Sequence, residues 1–479
     1  MGSRKVTSSE PFDWQGKHVT VAGLGVSGIP AAKVLHARGA LVTVVNDGDD
    51  ARAREQAAEL EALGITVRLG DGATLPEGTE LIVTAPGWKP DKPLFAAARE
   101  AGVDVWGDVE LAWRLRGPDA APWLAITGTN GKTTTTQMLA SILKAAGLRT
   151  AAVGNIGVSV LDAVLGEEQY DVLAVELSSY QLHWAPSLRA HSAAVLNLAP
   201  DHLDWHGSMD AYARDKGRIY EGNRIACVYN VADKATEDLV READVEEGCR
   251  AIGFTLGAPA PSQLGVVEGI LVDRAFVEDR QKNAQELAEV ADVNPPAPHN
   301  IANALAAAAL ARAYGVPPKA VQDGLRAFTP DAHRIAHVAD VAQVAYVDDS
   351  KATNTHAAEA SLAAYESIVW IAGGLAKGAV FEELVAKSAK RLRGAVLIGA
   401  DRGLIREALA RHAPEVPVVD LDRTDTGAML AAVQEAKGLA QPGDTVLLAP
   451  ACASMDMFAN YNQRGDAFAE AVRELGAGA

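Results

Sequence analysis

Residues 127–134 read Thr-Gly-Thr-Asn-Gly-Lys-Thr-Thr, and they stand between the apolar stretch 123–127 and a helical pattern over 133–146. Glycines in such a turn let backbone amides point inward around an anion, and the N-terminus of the following helix adds the positive end of its dipole. Lys132 is then placed to reach the terminal phosphates of a nucleotide, and the Thr133 hydroxyl to bind magnesium. The stretch therefore predicts a nucleotide-binding α/β domain.

This loop departs at one position from the general phosphate-binding pattern. The general pattern has a glycine five residues before Gly131, where this chain has Ile126, so only a shortened loop fits. A helix start rich in capping Thr and Asn residues is the alternative interpretation. The coincidence of a strand, Gly-Lys-Thr and a helix favours the phosphate loop.

A second glycine turn lies near the N-terminus. Residues 23–28 read Gly-Leu-Gly-Val-Ser-Gly after an apolar stretch, and Asp47 follows about twenty residues later, which is the dinucleotide pattern. A dehydrogenase is therefore one alternative function, and a nucleotide-driven switch or partner-binding ATPase is another. A simple dehydrogenase does not need the second, lysine-bearing loop, and the same glycine turn also suits a uridine diphosphate.

The length of 479 residues indicates several domains, because single domains usually have roughly 100 to 200 residues. Strand and helix patterns alternate along the chain, and segment 117–122, rich in Gly, Pro, Asp and Ala, is typical of a linker. We predict three consecutive α/β domains with parallel sheets. They are a Rossmann-like domain over 1–112, a P-loop ATPase-like domain over 113–330 and a second Rossmann-like domain over 331–479.

Composition narrows the partners and the compartment. The formal net charge of −18 argues against a nucleic-acid partner, because phosphate backbones need clustered Lys and Arg. Three cysteines without metal-type spacing indicate reduced thiols. The N-terminus shows no charged segment followed by an apolar one, and the apolar stretches are interrupted by polar residues or glycine. We expect a cytoplasmic protein without membrane insertion.

Acidic and imidazole side chains follow two apolar strands of the middle domain. Glu176 ends the stretch 172–176, and Asp201 and His202 follow the stretch 193–198. The carboxyl ends of strands are where open α/β sheets bind ligands, and carboxylate oxygen suits magnesium. Taken alone, Glu176 also reads as a solvated acid at a strand end, and the Asp201–His202 pair as a polar loop.

The loop sequence Gly-Thr-Asn-Gly-Lys-Thr at 128–133 resembles the ATP loop of the Mur ligase family, whose members form amides by activating a carboxylate as an acyl phosphate. The resemblance implies that ATP is the cosubstrate. It implies the following ATP contacts: Gly128, Thr129, Asn130, Gly131, Lys132, Thr133, Thr134, Asn300, Asn303, Arg334, Asp349 and Lys351.

The same resemblance implies a metal site, with two Mg²⁺ ions. Thr133, Glu176 and His202 match its ligands, and Lys216 matches a lysine that the family carbamylates with carbon dioxide. Without the resemblance, Lys216 reads as a surface residue of a helix. The implied catalytic residues are Lys132, Glu176, His202 and Lys216.

The substrates are implied by motifs in the outer domains. Asp-Ser-Lys-Ala-Thr-Asn at 349–354, Gly-Gly at 373–374 and the run 450–465 resemble the family members that add D-glutamate. The implied D-glutamate contacts are Thr353, Lys377, Ser454 and Tyr461, with tyrosine at a position where phenylalanine is common. The implied contacts to UDP-N-acetylmuramoyl-L-alanine are Val26, Ser27, Asp47, Gly87, Asn155 and His202. We expect a monomer that makes a peptidoglycan precursor in the cytoplasm.

Overall fold

The computed structural model describes residues 13–423, 425 and 427–477. The absence of a targeting segment is an interpretation of residues that include 1–12, which lie outside the described part. Three sheets follow one another along the chain, so the prediction of three consecutive α/β units is confirmed. Within the described residues, no helix combines the length and the apolar character needed to cross a bilayer.

The first sheet is parallel, with the strand order β3-β2-β1-β4-β5. Its central strands are buried because helices cover both faces. The strands are β1 His18–Ala22, β2 Leu41–Asn46, β3 Thr66–Leu69, β4 Leu81–Thr84 and β5 Asp104–Gly107, and the helices are α1 Gly28–Ala37, α2 Ala51–Glu61, α3 Pro93–Ala101 and α4 Asp108–Leu115. Helix α4 runs across residue 112, and the exact domain boundaries stay predictions.

The middle sheet has nine strands in the order β14-β13-β12-β11-β10-β9-β6-β8-β7. The strands are β6 Trp123–Thr127, β7 Ala152–Gly154, β8 Leu173–Glu176, β9 Ser192–Val195, β10 Ala226–Asn230, β11 Arg250–Phe254, β12 Gln263–Val267, β13 Ile270–Asp273 and β14 Gln285–Glu289. The helices are α5 Lys132–Ala145, α6 Val160–Leu165, α7 Ser179–His183, α8 Leu203–His206, α9 Met209–Gly217, α10 Lys234–Glu242, α11 Pro298–Ala313 and α12 Pro318–Ala327.

The third sheet has the order β15-β16-β20-β17-β18-β19. The carboxyl ends of β16, β20 and β17 are therefore neighbours, since these three strands are parallel to one another. The strands are β15 Ala336–Val341, β16 Val344–Asp348, β17 Ile368–Gly373, β18 Leu392–Ile398, β19 Val418–Asp420 and β20 Thr445–Leu448, and the helices are α13 Thr355–Leu362, α14 Glu382–Ser388, α15 Arg402–His412, α16 Ala428–Leu439 and α17 Tyr461–Ala477.

The expectation of parallel sheets throughout is wrong at two sheet edges. Strands β12, β13 and β14 pair in antiparallel fashion, and so do β15 and β16. Tight turns with positive φ at Glu268 and Gly269, and at Ala342 and Gln343, join the hairpins. Such turns match the twist of antiparallel strands, but neither has the Asn-Gly or Asp-Gly signal that would reveal it in a sequence.

Helix α5, which begins at Lys132, packs against α11 and α12. The middle of α11 is an alanine run that is buried on all sides, Ala306 to Ala309 included. Gly324 of α12 lies so close to α5 that an added Cβ would stand 2.3 Å from the Ile142 Cα. The close approach of these helices fixes the direction in which α5 presents its N-terminus.

Gly324→Ala is expected to lower the free energy of unfolding by about 1–3 kcal/mol, because backbone atoms of α5 must shift to admit the methyl group. Gly438→Ala in α16 is the matched control, since nothing lies within 4 Å of its added Cβ. The better helix propensity of alanine should leave that variant unchanged or stabilised by up to about 1 kcal/mol. Urea unfolding of both variants measures the difference, and equal values would contradict the packing account.

Candidate active site

The lysine of the phosphate loop forms hydrogen bonds with the backbone of the loop itself. The Lys132 Nζ donates hydrogen bonds to the carbonyl oxygens of Gly128 at 3.0 Å and Thr129 at 2.9 Å. Gly131 has a φ of 84° and abuts the Asn303 side chain, whose Oδ1 would lie 2.5 Å from an added Cβ. Only glycine fits this position, and Asn303, a predicted ATP contact, lies directly against the loop.

Lys132 stands among the other predicted site residues. Burial lowers the pKa of Lys132, the carboxylates of Glu176 and Asp201 oppose that change, and the cation of Arg334 adds to it. These electrostatic neighbours come from strand ends of the middle sheet and from the start of the third domain. The fold thus brings the loop, the predicted metal ligand and a predicted ATP contact of another domain together.

Glu176 ends β8 and is only 1% exposed. Its Oε1 accepts a hydrogen bond from the Asn155 Nδ2 at 2.9 Å, whereas its buried Oε2 has no hydrogen-bond partner. An unpartnered buried carboxylate oxygen is costly unless a cation compensates it, and Mg²⁺ prefers such oxygen ligands. Among the described residues, no three His, Cys, Asp or Glu side chains form a metal-binding group. A complete site therefore needs donors of other kinds beside Glu176.

Lys216 of α9 is buried, so its interpretation as a surface residue of a helix is wrong. It is 2% exposed, and its Nζ donates to the Gly128 carbonyl at 2.8 Å and to the Thr127 Oγ1 at 3.3 Å. Burial lowers the pKa of Lys216 well below its ordinary value, and repulsion from Lys132 adds to the effect. Its two hydrogen-bond partners are neutral, so the site favours an uncharged amine.

His202 takes an unusual backbone conformation just before α8. Its φ of 54° lies in the left-handed region, which costs energy for a residue with a Cβ. Burial lowers the pKa of His202, Asp201 opposes that change, and Lys132 and Lys216 contribute to it. The neutral imidazole that results is the form that ligates metals.

A buried network that the sequence analysis did not assign holds this region. The Asp215 Oδ2 contacts the Nδ1 of His183 and the Nδ1 of His206, each at 2.9 Å, and the His206 Nε2 contacts the Ser179 Oγ at 2.9 Å. Burial opposes ionisation of Asp215, but the two imidazoles lower its pKa to about 2. Asp215 precedes Lys216 in α9, so the network fixes the helix that presents this lysine. No sequence spacing signals these contacts.

The third domain contributes further cations and a buried carboxyl group. Burial lowers the pKa of Lys351 to about 8, with repulsion from Arg334 and Lys132 as further causes. The Lys351 Nζ lies 4.0 Å from the centre of the Tyr461 ring. Burial raises the pKa of Asp349 to about 6. Lys132, Arg334 and Lys351 thus form a group of mutually repelling cations.

Loops from adjacent strand ends carry the predicted D-glutamate contacts. Ala352, which precedes Thr353, accepts a hydrogen bond from the Ala451 amide at 2.9 Å, in the loop that leads to Ser454. An isolated antiparallel β-bridge pairs Leu375 with Ala453, so the loop that holds Lys377 lies beside the loop that leads to Ser454. Lys377 itself is exposed and has a φ of 51°.

Arg464 of α17 joins these loops, although the sequence analysis gave it no role. It is 1% exposed, and its guanidinium donates to the Ser350 Oγ at 2.9 Å, the Ser350 carbonyl at 2.8 Å and the Cys452 carbonyl at 3.1 Å. Three donors in a rigid fork match three fixed acceptors. A buried arginine is not evident from sequence, because isolated arginines are usually exposed.

Two of the predicted contacts to the uridine diphosphate substrate, Ser27 and Asp47, are bonded to charged side chains of the first domain. The Ser27 Oγ donates to the Asp108 Oδ2 at 2.8 Å, and Asp47 is paired with Lys92 at 2.5 Å. The Gly87 carbonyl accepts a hydrogen bond from the Trp205 Nε1 at 3.3 Å, while Val26 is 94% exposed. Lys92, absent from the sequence prediction, supplies a cation beside the predicted diphosphate pocket.

Comparisons with known proteins cover the three domains. The model of the Mur ligase MurD-like N-terminal domain matches residues 17–107, that of the Mur ligase middle domain 126–311, and that of the Mur ligase glutamate ligase domain 333–452. The UDP-N-acetylmuramoylalanine--D-glutamate ligase of Streptomyces avermitilis is 88% identical over 465 residues, which are 97% of this chain and 100% of that protein. The protein of the same name from Streptomyces coelicolor is 87% identical over 470 residues, with 98% and 100% covered.

A solved structure shows the same fold. The MurF ligase from Thermotoga maritima in complex with ADP aligns with a TM-score of 0.54 at 14% identity, and 96% of each chain is covered. At this identity the likeness concerns the fold alone.

Arg464→Met is expected to lower the free energy of unfolding by about 2–4 kcal/mol, because it leaves the buried acceptors of Ser350 and Cys452 without donors. Arg473→Met, at an exposed position of the same helix, is the control and should change stability by less than about 0.5 kcal/mol. Chemical denaturation followed by circular dichroism compares them. Equal stabilities would show that the buried fork does not hold the loops.

Proposed function

Because the chain belongs to the Mur ligase family, we propose that its three domains supply, in order, the pockets for a uridine diphosphate substrate, for ATP and for an amino acid. The protein is an ATP-dependent ligase that adds D-glutamate to UDP-N-acetylmuramoyl-L-alanine through an acyl phosphate, with release of ADP and phosphate, in peptidoglycan precursor synthesis. Identity over nearly the whole chain decides against the dehydrogenase and the nucleotide switch.

The group of cations around the phosphate loop carries the proposal for ATP. Lys132, Arg334 and Lys351 repel one another in the free protein, and the polyphosphate of ATP would relieve that repulsion. The backbone amides of Gly131 and Lys132 and the first turn of α5, with Thr133 and Thr134, complete the phosphate site. The amides of Thr129 and Asn130 instead donate to the carbonyl oxygen and the Oδ1 of Asn197. Asn300, Asn303 and Asp349 are the further ATP contacts that we propose.

We propose that Thr133, Glu176 and His202 hold magnesium, supported by the unpartnered Glu176 Oε2 and the favoured neutral imidazole. Two ions are expected, with phosphate oxygens and water completing their ligands. Magnesium held there would neutralise charge that develops on the transferring phosphoryl group.

We also propose that Lys216 is carbamylated. An uncharged amine is needed for its nitrogen to attack carbon dioxide, and the burial of Lys216 favours that form. The new N–C bond forms as one C=O π bond of carbon dioxide opens and a proton passes from nitrogen to solvent, which converts a neutral amine into an anionic carbamate. The carbamate would attract Lys132 and would offer oxygen ligands to magnesium.

The reaction proceeds in two displacements. The carboxylate of the L-alanine moiety attacks the γ-phosphorus of ATP in line, and ADP leaves while Lys132 stabilises the developing charge. The amine of D-glutamate then attacks the acyl phosphate, and inorganic phosphate leaves as the amide forms. The proton from the amine passes to solvent or to His202, although metal binding is the main role that we propose for His202.

The proposed pockets of the first and third domains bind the two substrates that the ATP-driven reaction joins. We propose that Lys377 pairs with a carboxylate of D-glutamate, and that Thr353, Ser454 and Tyr461 complete its pocket. The turn with Val26 and Ser27, together with Asp47, Gly87, Asn155 and His202, would hold UDP-N-acetylmuramoyl-L-alanine. We propose that the enzyme works in the cytoplasm as a monomer, since one chain supplies all three pockets.

The function is tested by phosphate release in the presence of ATP, magnesium, UDP-N-acetylmuramoyl-L-alanine and D-glutamate. Release should require both substrates, and L-alanine or a diamino acid should not replace D-glutamate. Lys132→Ala should reduce turnover by at least about a thousandfold, because a cation that stabilises the transition state is lost. Lys144→Ala, exposed in the same helix, should keep normal turnover. Full activity of Lys132→Ala would refute the assignment of the loop.

Binding of ATP should take up a proton above pH 8. The free enzyme has a Lys351 pKa of about 8, and the phosphates would raise it toward its ordinary value. ATP affinity should therefore fall as pH rises past 8, whereas below pH 7 Lys351 is already protonated and takes up nothing. Calorimetry in buffers of different ionisation enthalpy measures the uptake. Lys351→Arg, which stays charged, should reduce it, and unchanged uptake would place Lys351 away from the phosphates.

A further inference from the structure

We infer that Asn354 and His356, at the start of α13, form a hydrogen-bonded clasp with Asn130 of the phosphate loop, and that this clasp couples the nucleotide site to the D-glutamate site. The inference rests on the proposed function, since it concerns how two of the proposed pockets communicate. In the rest of this subsection "the clasp" means these three residues. Asn354 and His356 act as positioning residues that do not touch the reacting atoms, whereas Asn130 is also a predicted ATP contact.

The contacts of the clasp cross from the middle domain to the third domain. The Asn354 Nδ2 donates to the Asn130 Oδ1 at 3.2 Å, and the Asn130 Nδ2 lies 3.0 Å from the His356 Nδ1. Asn130 and Asn354 are 224 positions apart in the chain. The clasp therefore forms only when the third domain stands against the phosphate loop.

The direction of each hydrogen bond follows from the neighbours. The Asn354 Oδ1 caps α13 by accepting from the Ala357 amide at 2.8 Å, so its Nδ2 is the atom free to donate to Asn130. The Asn130 Oδ1 is thereby an acceptor, and its Nδ2 donates to the His356 Nδ1. His356 must supply an unprotonated Nδ1 at this position.

Both ends of the clasp are rigid. The Asn130 amide donates to the Asn197 Oδ1 at 2.9 Å, and the Asn130 carbonyl accepts from the Asn197 Nδ2 at 3.0 Å, which ties the loop to the residues after β9. Asn354 is fixed as the N-cap of α13 and directly follows Thr353, a proposed D-glutamate contact. A movement of the loop is therefore transmitted to the backbone beside the amino-acid pocket.

Charge explains why such a clasp is needed. Closing the third domain brings Arg334 and Lys351 toward Lys132, and these cations repel one another until ATP binds. Uncharged amide and imidazole groups hold the domains together without adding to that repulsion. Once ATP neutralises the cations, the same clasp aligns Thr353 with the loop, so each ligand should favour binding of the other.

Replacing His356 tests the clasp without touching a proposed binding residue. His356→Ala should raise the KM for D-glutamate about fivefold, which corresponds to the loss of one hydrogen bond, while the Kd for ATP without D-glutamate changes less than about twofold. His356→Asn should restore the normal KM, because the amide Oδ1 occupies the position of Nδ1 and accepts the same bond. His412→Ala, an exposed histidine of the same domain, is the control and should behave as the unaltered enzyme.

A double-mutant cycle shows whether His356 acts through Asn130. D-glutamate binding in the presence of an ATP analogue is measured for Asn130→Ala with and without His356→Ala. The clasp requires that His356→Ala has no further effect once Asn130 is replaced. An unchanged KM for His356→Ala, failure of His356→Asn to rescue it, or equal effects in both backgrounds would overturn the clasp. If the unaltered enzyme releases no phosphate with D-glutamate, the proposed function fails as well, whereas normal turnover with uncoupled ligands refutes the clasp alone.

Discussion

Two lysine side chains share one carbonyl oxygen at the centre of this protein, and the chemistry of the site depends on that contact. The Nζ atoms of Lys132 and Lys216 both donate to the Gly128 carbonyl, at 3.0 Å and 2.8 Å. Burial and mutual repulsion lower the pKa of Lys216 well below its ordinary value. Lys216 therefore tends to lose its charge, whereas Lys132 is placed to bind an anion. This division of roles between two like residues follows from their surroundings.

The ends of neighbouring parallel strands bring further side chains to Lys132. Glu176 and the loop after β9 reach Lys132 because β6 lies between β8 and β9 in the middle sheet. The third domain repeats the arrangement, since backbone contacts of Ala352 with Ala451 and of Leu375 with Ala453 join the loops after β16, β20 and β17. Each sheet edge collects residues that are distant in the chain. In the mechanism that we propose, the ligase reaction needs both edges at once, so the contact between the phosphate loop and α13 would be part of the functional geometry.

Buried polar residues hold the two edges in place. Asp215 fixes the helix of Lys216 through His183 and His206, and Arg464 fixes the loops of the third domain through Ser350 and Cys452. Both groups use charged side chains with fully specified partners, so breaking either one exposes unsatisfied atoms rather than simply removing a contact. Rigid support of this kind is what a site needs when its reacting groups must stay aligned between two displacements.

The sequence by itself determined the alternation of strands and helices, the phosphate loop and the family, because these depend on local periodicity, on glycines and on short motifs. It did not reveal the antiparallel hairpins at two sheet edges. It also identified Lys132 and Glu176 as neighbours, since parallel strands end at a common edge. From the residues alone Lys216 reads as a surface residue of a helix, and only the family resemblance assigned it to the site; Asp215, His356 and Arg464 were overlooked. Only the tertiary structure decided their roles, because burial and hydrogen-bond partners come from residues far apart in the chain, and a polar residue shows no sign in its own sequence neighbourhood of being enclosed.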